Sequence, residues 1–223
     1  MPKNVDILTL AARHSILTVE AVKSFVFQGK SESAARKALE ASVENGHLKS
    51  FRLDTKRKKA FQLSKSAAKQ LGLPKTFGTP FGERVLAERL TTLHYASLSK
   101  RTVLLRDEFN AHFTELVLEN VAFEPCNYYL RQDKHGICLH RFMVDLGAAP
   151  KRVAERVIAF VQKAKSSATL SEMMEAGAFG LSLLVPTPSK REAVRKALNG
   201  GPIFNGYRLD VEIAVVQQTR KQK

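Results

Sequence analysis

The sequence has few cysteines, no long apolar run and a deficit of acidic residues. Only two cysteines occur in 223 residues, Cys126 and Cys138, and we interpret them as unpaired structural thiols of a reducing cytosol. No apolar run approaches the ~18 residues that a membrane span requires. The N-terminus also lacks the apolar stretch and small-residue cleavage site of a secretory signal. The sequence therefore predicts a cytoplasmic protein without membrane contacts.

Several sequence motifs of catalysis are also missing. No HxH, CxxC or HExxH spacing occurs, so we expect no metal site. No P-loop or GxSxG motif occurs, which leaves nucleotide hydrolysis and serine hydrolysis without support. We expect no cofactor, and enzyme activity stays open, with the balance against it.

The surplus of basic residues is the informative feature of the composition. Thirty-six Lys and Arg face twenty-one Asp and Glu, which gives a formal charge of +15. Residues 1–75 hold 15 basic and 6 acidic residues, so the first third of the chain carries most of the excess. A focused positive charge favours a polyanionic partner, most often nucleic acid.

The first third also has the periodicity of three helices followed by a hairpin. Apolar spacing predicts a first helix over residues 4–13, and Thr18 can cap a second that runs to Phe27. Either Ser31 or Ser33 can cap a third, which the pair Asn45-Gly46 ends.

Two strand-like runs, HLKSFRL and KAFQL, follow this stop. Three helices and a two-stranded ribbon, in that order, are typical of a winged helix. We predict such a domain over residues 1–73.

A winged helix presents its third helix to the major groove of DNA, while its ribbon follows the backbone or enters the minor groove. At the ribbon tip the chain has four consecutive cations: Lys56, Arg57, Lys58 and Lys59. Near the start of the third helix it has small, polar or basic residues: Ser31, Ser33, Ala34, Arg36 and Lys37. We predict that these nine residues contact DNA, with Arg36 at a base edge and Lys37 at a phosphate. The alternative is a charged hairpin tip that only prevents aggregation of the sheet edge.

The rest of the chain predicts a separate domain that mixes helices and strands. Residues 74–82 contain two prolines and two glycines and are interpreted as a linker. Residues 83–217 alternate helical and strand patterns, and residues 218–223 form a basic tail. The predicted class is α+β, with an N-terminal winged helix-turn-helix followed by an α/β layer domain.

Three stretches resemble the replication-relaxation proteins of plasmids and integrative elements. They are AARKALEASVENGHLKSFRLDTKRKKAFQLSKSAAKQL, RFMVDLGAAPKRVAERVIAFV and FGLSLLVPTPSKREAVRKAL. The resemblance implies a winged helix followed by a restriction-endonuclease-like domain, and a role in plasmid mobilisation or replication. It further implies double-stranded DNA as a partner and a place in a relaxosome beside a relaxase or replication protein. A homodimer is left open.

The chain departs from that family at its acidic positions. Asp145 and Gly147 match the Asp and Gly of a Glu-x-Asp strand end, but Met143 stands at the Glu position and Pro125-Cys126 replaces an upstream Pro-Asp. A Mg²⁺-dependent nuclease needs two or three converging carboxylates. The resemblance therefore implies a catalytically degenerate accessory domain.

Two other functions stay open. One is a metal-dependent relaxase or nuclease of the restriction-like class, which would use Asp145, Glu124, Tyr128 and Tyr129. The other is a winged-helix transcription regulator whose second domain binds a small effector.

Overall fold

The computed structural model describes residues 3–53, 58–121, 123–133, 136–199 and 210–216. The chain is an α+β protein that divides into two compact units between Lys100 and Arg101. No helix among the described residues is both long enough and apolar enough to cross a membrane. The predicted basic tail, residues 218–223, lies outside the described residues.

The described part of the first unit is helical except for one antiparallel ribbon. Its elements are α1 (Lys3–His14), α2 (Val19–Phe25), α3 (Glu32–Glu44), β1 (Leu48–Arg52), β2 (Lys59–Leu63), α4 (Lys65–Gln70), the 3₁₀ helix η1 (Lys75–Gly78) and α5 (Glu83–Ser99).

Hydroxyl side chains fix the starts of the short helices. The Oγ1 of Thr18 accepts a hydrogen bond from the backbone N–H of Ala21 at the start of α2. Ser31, rather than Ser33, caps α3 by accepting from the N–H of Ala34 at 3.4 Å. Gly46 follows α3 with φ +70°, a conformation that L side chains rarely adopt.

A short backbone pairing joins the start of the unit to the ribbon. Leu17, between α1 and α2, exchanges two backbone hydrogen bonds with Phe61 of β2, at 2.8 and 2.9 Å. Both side chains are fully buried. The segment between the first two helices therefore adds a third, single-residue strand to the ribbon.

The predicted linker and the predicted boundary at residue 83 differ from the structure. Helix α5 belongs to the first unit, because its Leu93 packs with Ile16, Ala21 and Ala60 in one apolar cluster. The stretch 74–82 contains η1, whose Phe77 is buried. It is a packed connection inside the first unit, and not a linker between the two.

The second unit contains a four-stranded mixed sheet and five helices among its described residues. These are α6 (Arg106–His112), α7 (Thr114–Leu118), β3 (Tyr128–Asp133), β4 (Gly136–Val144), α8 (Pro150–Ala164), α9 (Ala168–Glu175), β5 (Phe179–Val185), α10 (Pro188–Asn199) and β6 (Asp210–Val215). The strand order is β3-β4-β5-β6, in which β3 is antiparallel to β4 and the other pairs are parallel.

One face of this sheet is covered by the helices of the unit. Its main apolar cluster joins sheet residues such as Leu139 and Leu181 to Phe109 of α6, Val157 of α8 and Val194 of α10. Asp145, the first residue after β4, lies where the parallel strands β4 and β5 end.

The opposite face of the sheet carries a buried polar group. The hydroxyl of Tyr129 lies 2.6 Å from Ser182 Oγ, which lies 3.4 Å from His140 Nδ1. His140 pairs in register with Gly180, and a Cβ added at Gly180 would lie 2.5 Å from His140 Cε1. Glycine at this position is what leaves room for the imidazole ring.

Candidate nucleic-acid interface

The N-terminal turns of α3 present the polar surface that the sequence predicts. Ser31, Ser33, Arg36 and Lys37 are exposed, and Ala34 is half-buried. The opposite side of the helix is anchored, because Ala35 and Leu39 are fully buried. Helix α3 is thereby fixed to the unit by one face, with its basic and hydroxyl residues directed to solvent.

Arg36 has a partner on its own helix. Its Nη2 lies 2.7 Å from Glu32 Oε1, and both side chains are about half exposed, at 52% and 53%. An exposed pair of this kind contributes at most ~1 kcal/mol. The guanidinium can therefore exchange Glu32 for a base edge or a phosphate at low cost.

The ribbon brings cations from its hairpin end close to the same helix. Lys58 and Lys59 are exposed, and Lys59 Nζ lies 3.9 Å from Glu40 Oε1 of α3. Lys56 and Arg57, the other two predicted contacts, lie outside the described residues. Of the nine predicted DNA-binding residues, the structure thus describes seven, five on or next to α3 and two at the start of β2.

Two side chains of the ribbon donate hydrogen bonds to the segment around η1. Lys49 of β1 donates a hydrogen bond to the carbonyl of Gly78 at 2.7 Å, and the side-chain amide of Gln62 donates to the carbonyl of Thr79 at 2.6 Å. Burial, together with the neighbouring charge of Lys65, lowers the pKa of Lys49. These contacts were not predicted, because they join residues that are 17 and 29 positions apart.

Asp145 occupies a structural position at the end of β4. Its Oδ1 accepts hydrogen bonds from the backbone N–H groups of Gly147 and Ala148 at 2.9 and 2.8 Å. Its Oδ2 lies 3.5 Å from the ammonium of Lys190, which also donates to the carbonyl of Ala148. Strand β4, which ends next to Asp145, contains no lysine. The lysine beside Asp145 comes instead from the first turn of α10.

Glu124, the second candidate acid, is paired with a cation. Its Oε2 lies 2.5 Å from Arg141 Nη2 and accepts from the amide of Asn127 at 2.8 Å. The guanidinium of Arg141 also lies over the ring of Phe160, 4.6 Å from its centroid. Glu124 thus orders the loop before β3.

The two candidate tyrosines lie on opposite faces of β3, and both are buried. Tyr128 packs against the rings of Phe109 and Phe123, and burial raises the pKa of its phenol. Tyr129 is fully buried, stacks on Phe142 at 4.7 Å and is bonded to Ser182. A raised pKa disfavours the phenolate of Tyr128, and full burial keeps Tyr129 away from a macromolecular substrate.

The two positions at which the resemblance would require acids are filled by buried side chains. Met143 belongs to the apolar cluster under the helices, and Cys126 is 2% exposed. Within the part of the chain that the structure describes, no three His, Cys, Asp or Glu residues gather as metal ligands.

Comparisons with protein-family models, with curated proteins and with solved structures find no match to this chain. The likeness to replication-relaxation proteins stays a prediction from the residues quoted above.

Proposed function

We propose that the first unit is a winged helix that binds double-stranded DNA. Helix α3 would lie in the major groove and the ribbon β1–β2 would hold the backbone beside it. The observation that carries the proposal is the exposed polar surface at the start of α3, where Arg36 and Lys37 lie beside Ser31 and Ser33, on a helix that is anchored by its opposite face next to a basic ribbon.

The backbone arrangement of the unit supports this reading. Two helices precede α3, the ribbon follows it, and Leu17 pairs with β2 across the chain. This pairing ties the segment between the first two helices to the wing. A rigid scaffold of this kind can present a helix and a wing to one duplex at a fixed spacing.

The charge of the unit supports a phosphate partner. Residues 1–100 contain 18 basic and 8 acidic residues. Ser31 starts α3 at the same exposed end of the helix as Arg36 and Lys37. Helix N-termini and long cationic side chains both attract phosphate.

We assign the second unit an accessory role without nuclease chemistry. Asp145 is engaged with two backbone N–H groups and Lys190, and Met143 and Cys126 stand at the other acidic positions. On the family resemblance, the protein would act in the mobilisation or replication of a plasmid or mobile element, beside a relaxase or replication protein.

The test is DNA binding as a function of salt. The wild-type chain should retard duplex DNA in an electrophoretic mobility assay, and its affinity should fall steeply as the salt concentration rises. Changing Lys56, Arg57, Lys58 and Lys59 to Ala should weaken binding to all sequences and flatten the salt slope. Arg36→Ala should chiefly relax sequence preference, at about 1–3 kcal/mol.

A matched control removes cations that the proposal does not place on DNA. Lys69 of α4 and Lys75 of η1 are both exposed, and their replacement by Ala should change affinity much less than replacement of the two ribbon cations Lys58 and Lys59 by Ala. A wild-type chain that shows no salt-sensitive binding to any duplex would refute the proposal. Nicked product from supercoiled DNA with Mg²⁺ or Mn²⁺, abolished by Asp145→Asn, would instead establish the nuclease reading.

A further inference from the structure

The second unit distributes its charge unevenly between elements. Helices α8 and α10 together contain eight basic and two acidic residues. The other residues between positions 101 and 217 contain seven basic and eleven acidic residues. A unit that is close to neutral as a whole therefore concentrates positive charge on two helices.

These two helices are neighbours and turn their charges outward. Both follow a parallel strand, and Val157 of α8 and Val194 of α10 belong to the same apolar cluster. Six of their cations form what we term the α8–α10 patch, which consists of Lys151, Arg152, Arg156, Arg191, Arg195 and Lys196. Five of these six residues are exposed, and Arg191 is half-buried.

The positions of these cations are unfavourable for the helices themselves. Lys151 and Arg152 lie in the first turn of α8, Arg191 lies in the first turn of α10, and neither first turn contains an acid. Cations at a helix N-terminus oppose the macrodipole. The order Arg-x-x-x-Arg, which occurs in both helices at Arg152 and Arg191, adds a like-charge i,i+4 pair to each.

Among the described residues of the unit, ion pairs balance only part of this charge. Glu192 lies 3.0 Å from Arg191 and 3.2 Å from Arg195, so one carboxylate serves two guanidinium groups. Exposed pairs of this kind are weak and screened by salt. An arrangement that costs helix stability and is incompletely compensated is expected where an anionic partner binds.

The end of the patch next to Asp145 is well ordered. Lys190 holds Asp145 and the carbonyl of Ala148, and Arg156 Nη1 donates to the carbonyl of Val144 at 3.5 Å. These contacts connect the end of β4 to the N-terminal turns of both helices. The cations of the patch therefore stand on a surface whose backbone is fixed.

We propose that the α8–α10 patch is a second contact surface for the phosphate backbone of duplex DNA. This proposal rests on the DNA binding proposed for the first unit. The patch offers cations from two adjacent helices, and residues four apart on a helix lie ~6 Å apart along its axis. A membrane surface is a poorer fit, because interfacial helices insert an apolar face and the apolar faces of α8 and α10 are used in the core. The patch would raise affinity for every sequence equally.

The test compares two double variants of the full chain by fluorescence anisotropy with a labelled duplex at several salt concentrations. The patch variant is Arg152→Ala with Arg195→Ala. Its control is Lys163→Ala with Lys165→Ala. These two exposed cations lie at the opposite end of α8, and their replacement removes the same amount of charge. Thermal melting checks that both variants keep the wild-type fold.

We expect the patch variant to bind all duplexes about 5–30-fold more weakly and to reduce the salt slope by about one to two, as the loss of two phosphate contacts requires. The control should bind within about twofold of the wild type. Equal losses in both variants would mean that only net charge matters and would overturn the proposal.

Other outcomes separate this proposal from the function on which it rests. If the ribbon variant of the first unit loses DNA binding while the patch variant keeps wild-type affinity and slope, the patch proposal fails and the first unit's function stands. If the wild type binds no duplex, the proposed function itself fails, and the patch proposal with it. If the patch variant loses only binding to vesicles with anionic lipid or to polyglutamate, the patch serves another polyanion and the proposal is wrong.

Discussion

His14, the last residue of α1, is a titratable residue enclosed in the first unit. Its side chain is 2% exposed, and its ring centroid lies 5.5 Å from that of Phe25. Burial, with the nearby charges of Arg13 and Arg89, lowers the pKa of His14 from 6.5 to about 3. The folded protein therefore holds a neutral imidazole over most of the accessible pH range.

This burial makes stability depend on pH. In the unfolded chain the pKa of His14 returns to about 6.5, so below that pH the unfolded state takes up a proton that the folded state does not. The free energy of unfolding should decline as pH falls from about 6.5 towards 3, by up to ~1.4 kcal/mol per pH unit. Above about pH 7 this contribution vanishes.

We predict that His14→Phe removes part of this decline. Urea unfolding at pH 7.5 and pH 5 should show a smaller loss of stability for the variant than for the wild type. His94→Gln, at an exposed position of α5, serves as the comparison and should leave the loss unchanged. An identical loss in wild type and His14→Phe would show that other groups cause the acid sensitivity.

Single-residue features were predicted from the sequence where they depend on neighbours in the chain. Thr18 as a helix cap and the exposed side of α3 follow from spacing alone. The choice of Ser31 over Ser33 did not, because either hydroxyl could cap the start of the predicted helix. The pairing of Asp145 with Lys190, 45 positions away along the chain, has no local signal at all.

At the scale of elements, Asp145 and Lys190 connect three pieces of the second unit. The carboxylate joins the end of β4 to the loop before α8, and the ammonium adds the first turn of α10. Asp145 is fully buried, and the side chain of Lys190 is 16% exposed. Removing one member would leave the other charge in a poorly hydrated position.

We predict that Asp145→Ala lowers the free energy of unfolding by roughly 3–5 kcal/mol, because it leaves two backbone N–H groups without their acceptor and Lys190 without its counter-ion. Asp145→Asn should cost less, because its amide oxygen can still accept from Gly147 and Ala148. Chemical denaturation measures both, with Glu172→Ala at an exposed position of α9 as the matched control. Equal losses for Ala and Asn would show that the charge alone stabilises this junction.

The elements of the second unit differ in how clearly the sequence marks them. Helix α8 and strand β5 have clear apolar patterns. Helices α6, α7 and α9 have seven, five and eight residues, too few for a periodic pattern to stand out. Helix α9 is capped locally by Ser167, whose hydroxyl accepts from the N–H of Leu170. The distant carboxylate of Glu119 accepts from Ser167 and Thr169 at the same helix start, and these hydrogen bonds lower the pKa of Glu119.

At the scale of the whole molecule, the division of the chain falls 18 residues after the predicted end of the linker. The prolines and glycines of residues 74–82 indicate turns, but they do not show whether the next helix packs on the residues before the turns or on those after it. Helix α5 packs on the residues before the turns. Ser24 Oγ donates to the carbonyl of Ser97 at 2.8 Å, and Lys100 Nζ donates to the carbonyl of Ser24.

We predict that a fragment of residues 1–100 folds by itself, whereas a fragment of residues 1–82 does not. The shorter fragment lacks Leu93, which is 1% exposed and belongs to the cluster with Ile16 and Ala60. Removal of one buried leucine side chain costs roughly 2–5 kcal/mol. This is a large share of the stability of a small domain. Thermal unfolding followed by circular dichroism should be cooperative only for 1–100, and cooperative unfolding of 1–82 would show that α5 is dispensable.

The close approach of His140 to Gly180 has a consequence for sequence variation. The His140 ring fills the space that a side chain at position 180 of β5 would need. A substitution at one of these two positions therefore requires a compensating substitution at the other. Across any set of homologues, a side chain at position 180 should occur together with a small residue at position 140. Such covariation would be a record, in the sequences alone, that these two strands lie side by side.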